Sequence, residues 1–392
     1  LHMDTHFFFV PNRLTWTNWK KFMGEQNNPG DSISFLVPTR TSPASGYTVG
    51  SLGDLMGLPT VGQVQGAATF THSALPMRAY ALIWNEWFRD ENLQNSVTVS
   101  VADGPDTTTS VALLKRGKRH DYFTGCLPWT QKGAAVSIPL SGNAPVLGIG
   151  ADTGATWLNT GLNVDETGGG TRNYAQFIRS NAATTIVMKG AGTDYPDIYA
   201  DLSAATSATI NQLRQSFQIQ KLLERDARGG TRYTEIVRSH FGVVSPDARL
   251  QRPEYLGGGS SPITINPIAQ TSATGLTGGA TPVGTLAAMG TGLLNGHGFT
   301  QSFTEHGYII GLVSVRADLT YQQGLRRHWS RSTRYDFYFP AFAMLGEQAV
   351  LNKEIYCRGD ANDALVFGYQ ERWAEYRYNP SEICGLFRST SA

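Results

Sequence analysis

The sequence predicts a mostly β, loop-rich protein, and its composition supports that fold class in three ways. Its 392 residues include 43 glycines and 18 prolines, spread along the chain without a collagen-like period. This frequency of turn-forming residues disfavours a helical bundle. Hydrophobic residues make up 41% of the chain, enough for a substantial core, and an aromatic share of 11% excludes the aromatic-poor class of disordered chains. The length exceeds the roughly 250–300 residues at which single cores stop growing, so we expect one large domain with insertions or two domains.

The first third of the chain mixes predicted strands with helices. Thr5–Val10 is a short apolar run closed by Pro11, which is typical of a buried strand. Leu75–Phe88 is the best helix, because Pro76 suits a first turn and apolar residues repeat every four positions. The other elements predicted here are a helix over Thr15–Phe22, a helical turn over Ser51–Gly57 and a strand over Val97–Val101.

A change of composition sets Ser141–Ser207 apart from its surroundings. The segment is rich in Gly, Thr, Ala and Asn, and it carries three basic against six acidic residues. A loop of this length with little periodicity is usually functional or disordered. We therefore expect an insertion on an outside surface, with one strand at Thr184–Met188, between a first part at residues 1–140 and a remainder at residues 208–392.

The remainder begins with predicted helices and ends with predicted strands. Tyr308–Tyr321 is the clearest strand, since apolar side chains alternate along one of its faces. Gly257–Gly298 is rich in Gly, Thr and Ala, and we expect most of it to be exposed loop. The other predicted elements are helices over Thr209–Arg228 and Thr231–Phe241 and strands over Ala364–Tyr369 and Trp373–Tyr378.

Charge and cysteine content limit the class of protein. The 32 basic and 31 acidic residues give a net charge of +1, so any contact with nucleic acid must come from local patches. Only 16% of residues are charged, against roughly 25% in an ordinary soluble protein. Cys126, Cys357 and Cys384 are too scattered for a disulfide scaffold or a metal motif, and indicate reduced thiols of a protein assembled inside a cell. The chain contains no N-glycosylation sequon, signal peptide or run of eighteen apolar residues, which disfavours secretion and membrane spanning.

Enzyme motifs are scarce, and we expect neither catalysis nor a cofactor or metal site. The nucleophile-elbow, zinc-protease and phosphate-loop motifs are all missing. Glu86 and Asp90 lie four apart on a predicted helix and in principle suit glycoside hydrolysis, but such pairs more often face solvent or a nearby arginine. His2 and His6 stand at a chain end that leads into a strand, where structural roles are more common than metal binding.

Two basic clusters carry the strongest signal for a ligand. Residues 112–134 contain five basic residues and one acidic residue beside Tyr122, Phe123 and Trp129, and residues 316–334 have the same charge balance beside Trp329. Cations neutralise phosphates and aromatic faces stack unpaired bases. An inter-subunit salt-bridge network would use the same residue types, so both interpretations stay open. The residues predicted to face nucleic acid are Lys115, Arg116, Lys118, Arg119, Arg326, Arg327, Arg331 and Arg334.

Long collinear peptides resemble the major capsid proteins of gokushoviruses, small single-stranded DNA phages of the Microviridae. The resemblance covers nearly the whole chain and is weakest in residues 141–207. It is carried by Phe8–Glu25, Ser73–Asn92, Lys118–Gly133, Ile210–Leu256 (INQLRQSFQIQKLLERDARGGTRYTEIVRSHFGVVSPDARLQRPEYL), Gly346–Tyr356, Tyr369–Tyr378 and Gly385–Ser389.

The resemblance implies an eight-stranded antiparallel jelly roll with long loop and helical insertions. Copies would form a small T=1 icosahedral capsid around circular single-stranded DNA, assembled in the cytoplasm of a bacterial host. The variable insertion would build a protrusion near the threefold axes that contacts the host surface. Implied partners are a small basic packaging protein, an internal scaffolding protein and a DNA-pilot protein. Members of the family normally carry a further N-terminal strand before Thr5–Val10 and a tail beyond Arg388.

The alternative class is a jelly-roll carbohydrate-binding protein or glycosidase. In such a protein Trp84, Trp87 and Trp157 would act as platforms for sugar rings. Hydrodynamic size separates the two classes, because a capsid protein forms a particle of many copies and a lectin or glycosidase forms a monomer or dimer.

Overall fold

A computed structural model describes residues 1–107, 112–136, 210–230, 232–244, 251–269 and 286–389, and five short strands between residues 146 and 200. The chain divides into two compact units. One consists of residues 1–132 and 224–392, and the other of residues 133–223.

The described elements are mainly strands in antiparallel sheets, accompanied by helices and short 3₁₀ turns. The strands are β1 (His2–Pro11), β2 (Thr39–Thr41), β3 (Thr71–Ser73), β4 (Val146–Leu147), β5 (Leu162–Asp165), β6 (Asn173–Arg179), β7 (Ile186–Val187), β8 (Tyr199–Ala200), β9 (Glu254–Ala269), β10 (Leu286–Gly292), β11 (Gly307–Arg316), β12 (Glu347–Leu351) and β13 (Val366–Glu371). The α-helices are α1 (Asn12–Thr15), α2 (Trp19–Phe22), α3 (Leu52–Leu55), α4 (Leu75–Ile83), α5 (Ile210–Gly229), α6 (Tyr233–Phe241) and α7 (Asn352–Ile355), and α4 continues into a π-helical turn over Trp84–Phe88.

The largest sheet of the first unit has the strand order β10-β9-β1-β11. β1 pairs antiparallel with β11 from His2 opposite Arg316 to Pro11 opposite Gly307. On its other side β1 pairs with the first half of β9, where a bulge falls between Phe7 and Phe8. The second half of β9 pairs with β10. β1 is therefore an interior strand, which explains its apolar sequence.

Helix α4 packs on β1 and forms the main core. Phe8 and Val10 of β1 are 1% and 0% exposed, and they pack with Ala79 and Ile83 of the helix. Ile310 and Leu312 of β11 close the same core. Burying a side chain such as Phe8, Val10 or Ile83 contributes about 1.5–3 kcal/mol, so the β1–α4 contact stabilises this region substantially.

A second core in the same unit anchors the first basic cluster through its aromatic residues. Tyr122 and Phe123 are buried with Val350 of β12 and Ala374. Tyr321 packs against them, and its hydroxyl donates a 2.6 Å hydrogen bond to the Asp121 carboxylate. This core places the two basic clusters in one part of the unit.

Several sequence predictions are confirmed. Strand β1 covers Thr5–Val10, and strand β11 covers most of Tyr308–Tyr321. The helices predicted over Thr209–Arg228 and Thr231–Phe241 are α5 and α6. The helix over Leu75–Phe88, the turn over Ser51–Gly57 and the strand over Ala364–Tyr369 also correspond to described elements.

For the described residues of Gly257–Gly298 the predicted loop was wrong, although most of these residues are exposed, as predicted. Strands β9 and β10 occupy most of its described residues. The glycines that suggested a loop instead permit close strand contact. A Cβ at Gly258 would lie 2.0 Å from the Thr5 carbonyl oxygen of β1, and one at Gly257 would lie 2.8 Å from the Gly298 carbonyl oxygen.

Three other elements differ from prediction for local reasons. Val97–Val101 is not a strand, because the backbone of Val97 bonds to the side-chain amide of Asn85. The helix over Thr15–Phe22 is divided between α1 and α2, since Trp16 adopts an extended conformation. Trp373 has a left-handed φ of 68°, which ends β13 and leaves a 3₁₀ turn over Ala374–Tyr376 in place of a second strand.

The second unit is described through its short strands and the start of α5. β4 pairs with β8, and β6 lies between β5 and β7. The strand predicted at Thr184–Met188 contains β7. The prediction of a single strand in Ser141–Ser207 was wrong, because β4, β5, β6 and β8 are also strands of this segment. Its other residues, predicted as loops, lie outside the described residues.

Candidate nucleic-acid interface

The first basic cluster is tied to the main sheet through Arg116. Its guanidinium lies 3.1 Å from the Asp4 carboxylate of β1 and 2.9 Å from the Ser314 hydroxyl of β11. It also lies over the ring of Phe88, 5.1 Å from the ring centroid. Arg116 thus anchors the backbone of the cluster and has fewer donors left for a ligand.

Asp4 is the charged centre of that contact. Its side chain is 8% exposed and also binds Arg316 at 2.7 Å. Burial alone would raise the pKa of Asp4, but a hydrogen bond from Ser260 and the charges of Arg316 and Arg116 lower it overall. Burial and the Arg116 charge lower the pKa of the neighbouring His6. The Asp4 carboxylate therefore stays ionised beside Arg116 and Arg316.

Two lysines of the first cluster differ from Arg116 in their exposure and charge pairing. Lys115 and Lys118 are exposed, and neither forms an ion pair with any residue that the structure describes. Arg119 is 40% exposed and lies 3.1 Å from the Asp318 carboxylate. Lys115 is held in place through its backbone, because its carbonyl accepts a 3.0 Å hydrogen bond from the Trp84 indole. The cluster therefore presents lysine charge from a fixed backbone.

In the second basic cluster most arginines pair with carboxylates from later in the chain. Arg326 binds Glu382, Arg327 binds the 4%-exposed Glu354 at 2.8 Å, and Arg331 binds Glu375 at 3.4 Å. Burial lowers the pKa of Arg327, but the hydrogen bonds and charge of Glu354 outweigh it and raise that pKa overall. These pairs orient the guanidinium groups without using all five N–H donors of each.

Arg331 and Arg334 are also stacked on aromatic rings. The Arg331 guanidinium lies 4.5 Å from the Tyr376 centroid and 5.5 Å from that of Phe337. Arg334 is exposed, stacks on Tyr335 and Phe339, and forms no ion pair with the described residues. Planar guanidinium and aromatic faces are the groups that stack unpaired bases.

The fold joins the two clusters, which the sequence did not predict. Tyr122 and Phe123 of the first cluster line a cavity together with Arg326, Arg327 and Arg331 of the second. Sequence reasoning did not assign the residues that complete this region to it, because they lie far along the chain from both clusters. They are Glu354, Glu375, Tyr376, Arg377 and Tyr378.

Large apolar side chains are exposed over much of residues 329–387. Met344 is 92% exposed, Leu386 86%, Phe387 90% and Trp329 73%. Monomeric soluble proteins rarely expose extensive apolar patches, which usually mark contacts with other chains. This surface indicates a subunit that buries apolar area against neighbours.

The groups considered for enzyme chemistry have structural contacts. Glu86 lies 3.5 Å from the Arg232 guanidinium, and Asp90 accepts backbone hydrogen bonds from Asn92 and Leu93. Trp84 is 7% exposed in the core, which does not suit a sugar platform. Trp157 lies outside the described residues.

In the part of the chain that the structure describes, no group of three or more His, Cys, Asp or Glu side chains has the arrangement of a metal site. No helix in that part of the chain is both long and apolar enough to cross a membrane.

An antiparallel β scaffold with exposed aromatic surface and paired arginines defines a structural subunit of a larger assembly. The profile of the family described as "Capsid protein (F protein)" matches residues 1–392. The chain is 49% identical to Capsid protein VP1 of Bdellovibrio phage phiMH2K, over 100% of this chain and 73% of that protein. It is 40% identical to Capsid protein VP1 of Chlamydia phage 1, over 100% of this chain and 76% of that protein. It is 37% identical to Capsid protein VP1 of Spiroplasma virus 4, over 100% of this chain and 73% of that protein.

The chain therefore belongs to the Capsid protein (F protein) family of the Microviridae phages. It is a structural subunit of a phage capsid and not an enzyme. Its place is in the virion.

Proposed function

We propose that this capsid protein forms a small T=1 icosahedral shell around circular single-stranded DNA, with its two basic clusters on the genome side. The observation that carries the proposal is the joining of both clusters in one aromatic-lined region. Lys115, Lys118 and Arg334 supply charge with no carboxylate partner among the described residues. The basic residues that pair with carboxylates hold this surface in a fixed arrangement, and the unpaired basic residues neutralise phosphate.

The shell would be built on an eight-stranded antiparallel jelly roll. The four-stranded antiparallel sheet β10-β9-β1-β11 supports this architecture, and the helical segments α4, α5 and α6 would be its insertions. Assembly would take place in the cytoplasm of the bacterial host. The packaging, scaffolding and DNA-pilot proteins of the related phages would be its partners.

Residues 141–207 would form the outer protrusion that contacts the host. The segment has a net negative charge, and residues 133–223 form a compact unit of their own. A shortened segment should leave particles that assemble but adsorb poorly to cells. Failure of the shortened chain to fold would show that the segment belongs to the core.

The genome-side assignment is tested in purified particles. Extracted nucleic acid should be circular and sensitive to a single-strand-specific nuclease. A Lys115→Ala, Lys118→Ala, Arg334→Ala triple variant should package less DNA and lose particle integrity at lower salt, because phosphate contacts are salt-sensitive. Lys20→Ala is the matched control, since Lys20 is an exposed lysine outside both clusters.

Unchanged DNA content and salt tolerance in the triple variant would contradict the assignment. The inter-subunit interpretation would then be favoured, and a loss of assembly without any change in DNA per particle would support it.

A further inference from the structure

A cavity of about 370 Å³ lies where the two basic clusters meet. Its lining combines arginines, carboxylates and aromatic rings contributed by four separate segments of the chain. Arginines, carboxylates and tyrosines of this lining include Arg327, Arg331, Glu354, Glu375, Tyr376 and Tyr378. This volume lies at the lower end of the range for small-molecule sites, roughly 300–1,000 Å³.

Two tyrosines of the lining are accessible to a ligand. Tyr376 is 52% exposed and Tyr378 is 55% exposed, so a flat ligand reaches their rings without displacing a buried side chain.

The cavity offers donors, acceptors and ring faces together. Arg327 and Arg331 present N–H donors, while Glu354 and Glu375 present acceptors. Tyr376 stacks on Arg331 at 4.5 Å, and Tyr378 lies 6.2 Å from the buried ring of Tyr122. A nucleobase uses all three features, because its edge carries donors and acceptors and its face stacks on aromatic rings.

Cationic groups at the cavity suit the phosphate of the same nucleotide. The Arg377 side chain is 57% exposed and the Arg326 side chain 34%, more than those of Arg327 and Arg331. Arg377 pairs with Glu371 and Arg326 with Glu382, but a guanidinium has five N–H donors, so each keeps donors beyond its ion pair. A free inorganic anion would have no use for the aromatic rings.

We propose that this cavity binds one unpaired nucleotide of single-stranded DNA, with the base inside against Tyr376 and Tyr378 and the phosphate near Arg326 and Arg377. The inference rests on the proposed enclosure of single-stranded DNA and names the place where a nucleotide is held. It predicts contact through a base as well as through the phosphate backbone.

The test uses full-chain subunits and a 5-iodouracil-substituted DNA 12-mer. Photo-cross-links mapped by mass spectrometry should fall on Tyr376 or Tyr378. In fluorescence anisotropy, Tyr376→Ala and Tyr378→Ala should each weaken binding at least about fivefold, as expected for loss of one base–aromatic stack. Tyr376→Phe should retain wild-type affinity, because it keeps the ring. Tyr356→Ala is the control, since Tyr356 is 56% exposed and does not line the cavity.

The proposal is overturned if cross-links map only elsewhere, or if Tyr356→Ala weakens binding as much as Tyr376→Ala does. A neighbouring subunit's side chain filling the cavity in DNA-free shells would also overturn it. Each of these results would reject the cavity as a nucleotide site without rejecting the proposed enclosure of single-stranded DNA. Native particles without single-stranded DNA would contradict that function, whereas binding by isolated subunits tests the cavity itself.

Discussion

Substitution of Gly258 by alanine should destabilise the main sheet through a direct backbone clash. An alanine Cβ there would lie 2.0 Å from the Thr5 carbonyl oxygen and 2.9 Å from its carbonyl carbon. Real Cβ atoms essentially never approach closer than 3.0 Å, so β9 and β1 must separate locally by about 1 Å. Because both contacts are backbone, no side-chain rotation relieves them. We expect a loss of about 1–3 kcal/mol, as for overpacking elsewhere.

Gly290→Ala provides the matched control in the same sheet. A Cβ at Gly290 would meet only the Ile263 side chain, at an ordinary 3.6 Å. Replacing a strand glycine by alanine without a clash gains about 0.5–1 kcal/mol, so this variant should be neutral or slightly stabilised. Urea unfolding of full-chain subunits, followed by circular dichroism, measures both midpoints. Equal midpoints for Gly258→Ala and Gly290→Ala would refute the close-approach explanation of the glycines in β9.

Two further predictions concern charge and thiol chemistry. Asp4→Asn leaves Arg116 and Arg316 without their carboxylate and should cost about 3 kcal/mol at pH 7. Because the pKa of Asp4 is lowered in the fold, this contribution is present above the ordinary value of 3.8 and is lost as pH falls through the folded pKa. In urea unfolding the difference between wild type and variant should therefore shrink as pH falls below 3.8, and a constant difference would contradict the ion-pair explanation. Burial raises the pKa of Cys126 to about 12, whereas Cys384 is exposed, so maleimide at pH 8 should label Cys384 first in native subunits, and equal rates would refute the burial of Cys126.

Local patterns predicted the elements whose apolar residues face the core. β1 is an apolar run, and the apolar repeat of α4 matches the residues that pack on Phe8 and Val10. In β11 the alternation identified the strand but not its core side. Ile310 and Leu312 pack inward, while Val313 is 65% exposed. Both faces of β11 carry apolar residues, so periodicity could not distinguish them.

The glycine-rich part of β9 was not predictable from composition. The same residues serve as flexible loop or as strand in close contact, and the neighbouring strand decides between them. That neighbour is β1, about 250 positions earlier in the chain. Long-range pairing is the information that a local reading of Gly257–Gly259 lacks.

For the candidate interface, the sequence identified charge and aromatic content but not pairing. Arg327 follows Arg326 directly, yet one guanidinium is bound to the nearly buried Glu354 and the other to Glu382. Glu354 lies 27 residues beyond Arg327, and its position depends on α7 and β12. Which of the eight predicted cations are paired with a carboxylate therefore becomes known only from the fold.

The exposed apolar side chains connect this division to assembly. A subunit with residues such as Met344 and Phe387 at 92% and 90% exposure gains free energy when neighbours cover them. Arginines already paired within the subunit, such as Arg327 with Glu354, carry their counter-charge into an interface and leave no unpaired buried charge there. Lys115, Lys118 and Arg334 have no such counter-charge among the described residues, and burying them against apolar protein would be costly. The charges least suited to a dry subunit contact are thus the ones best suited to a solvated phosphate backbone.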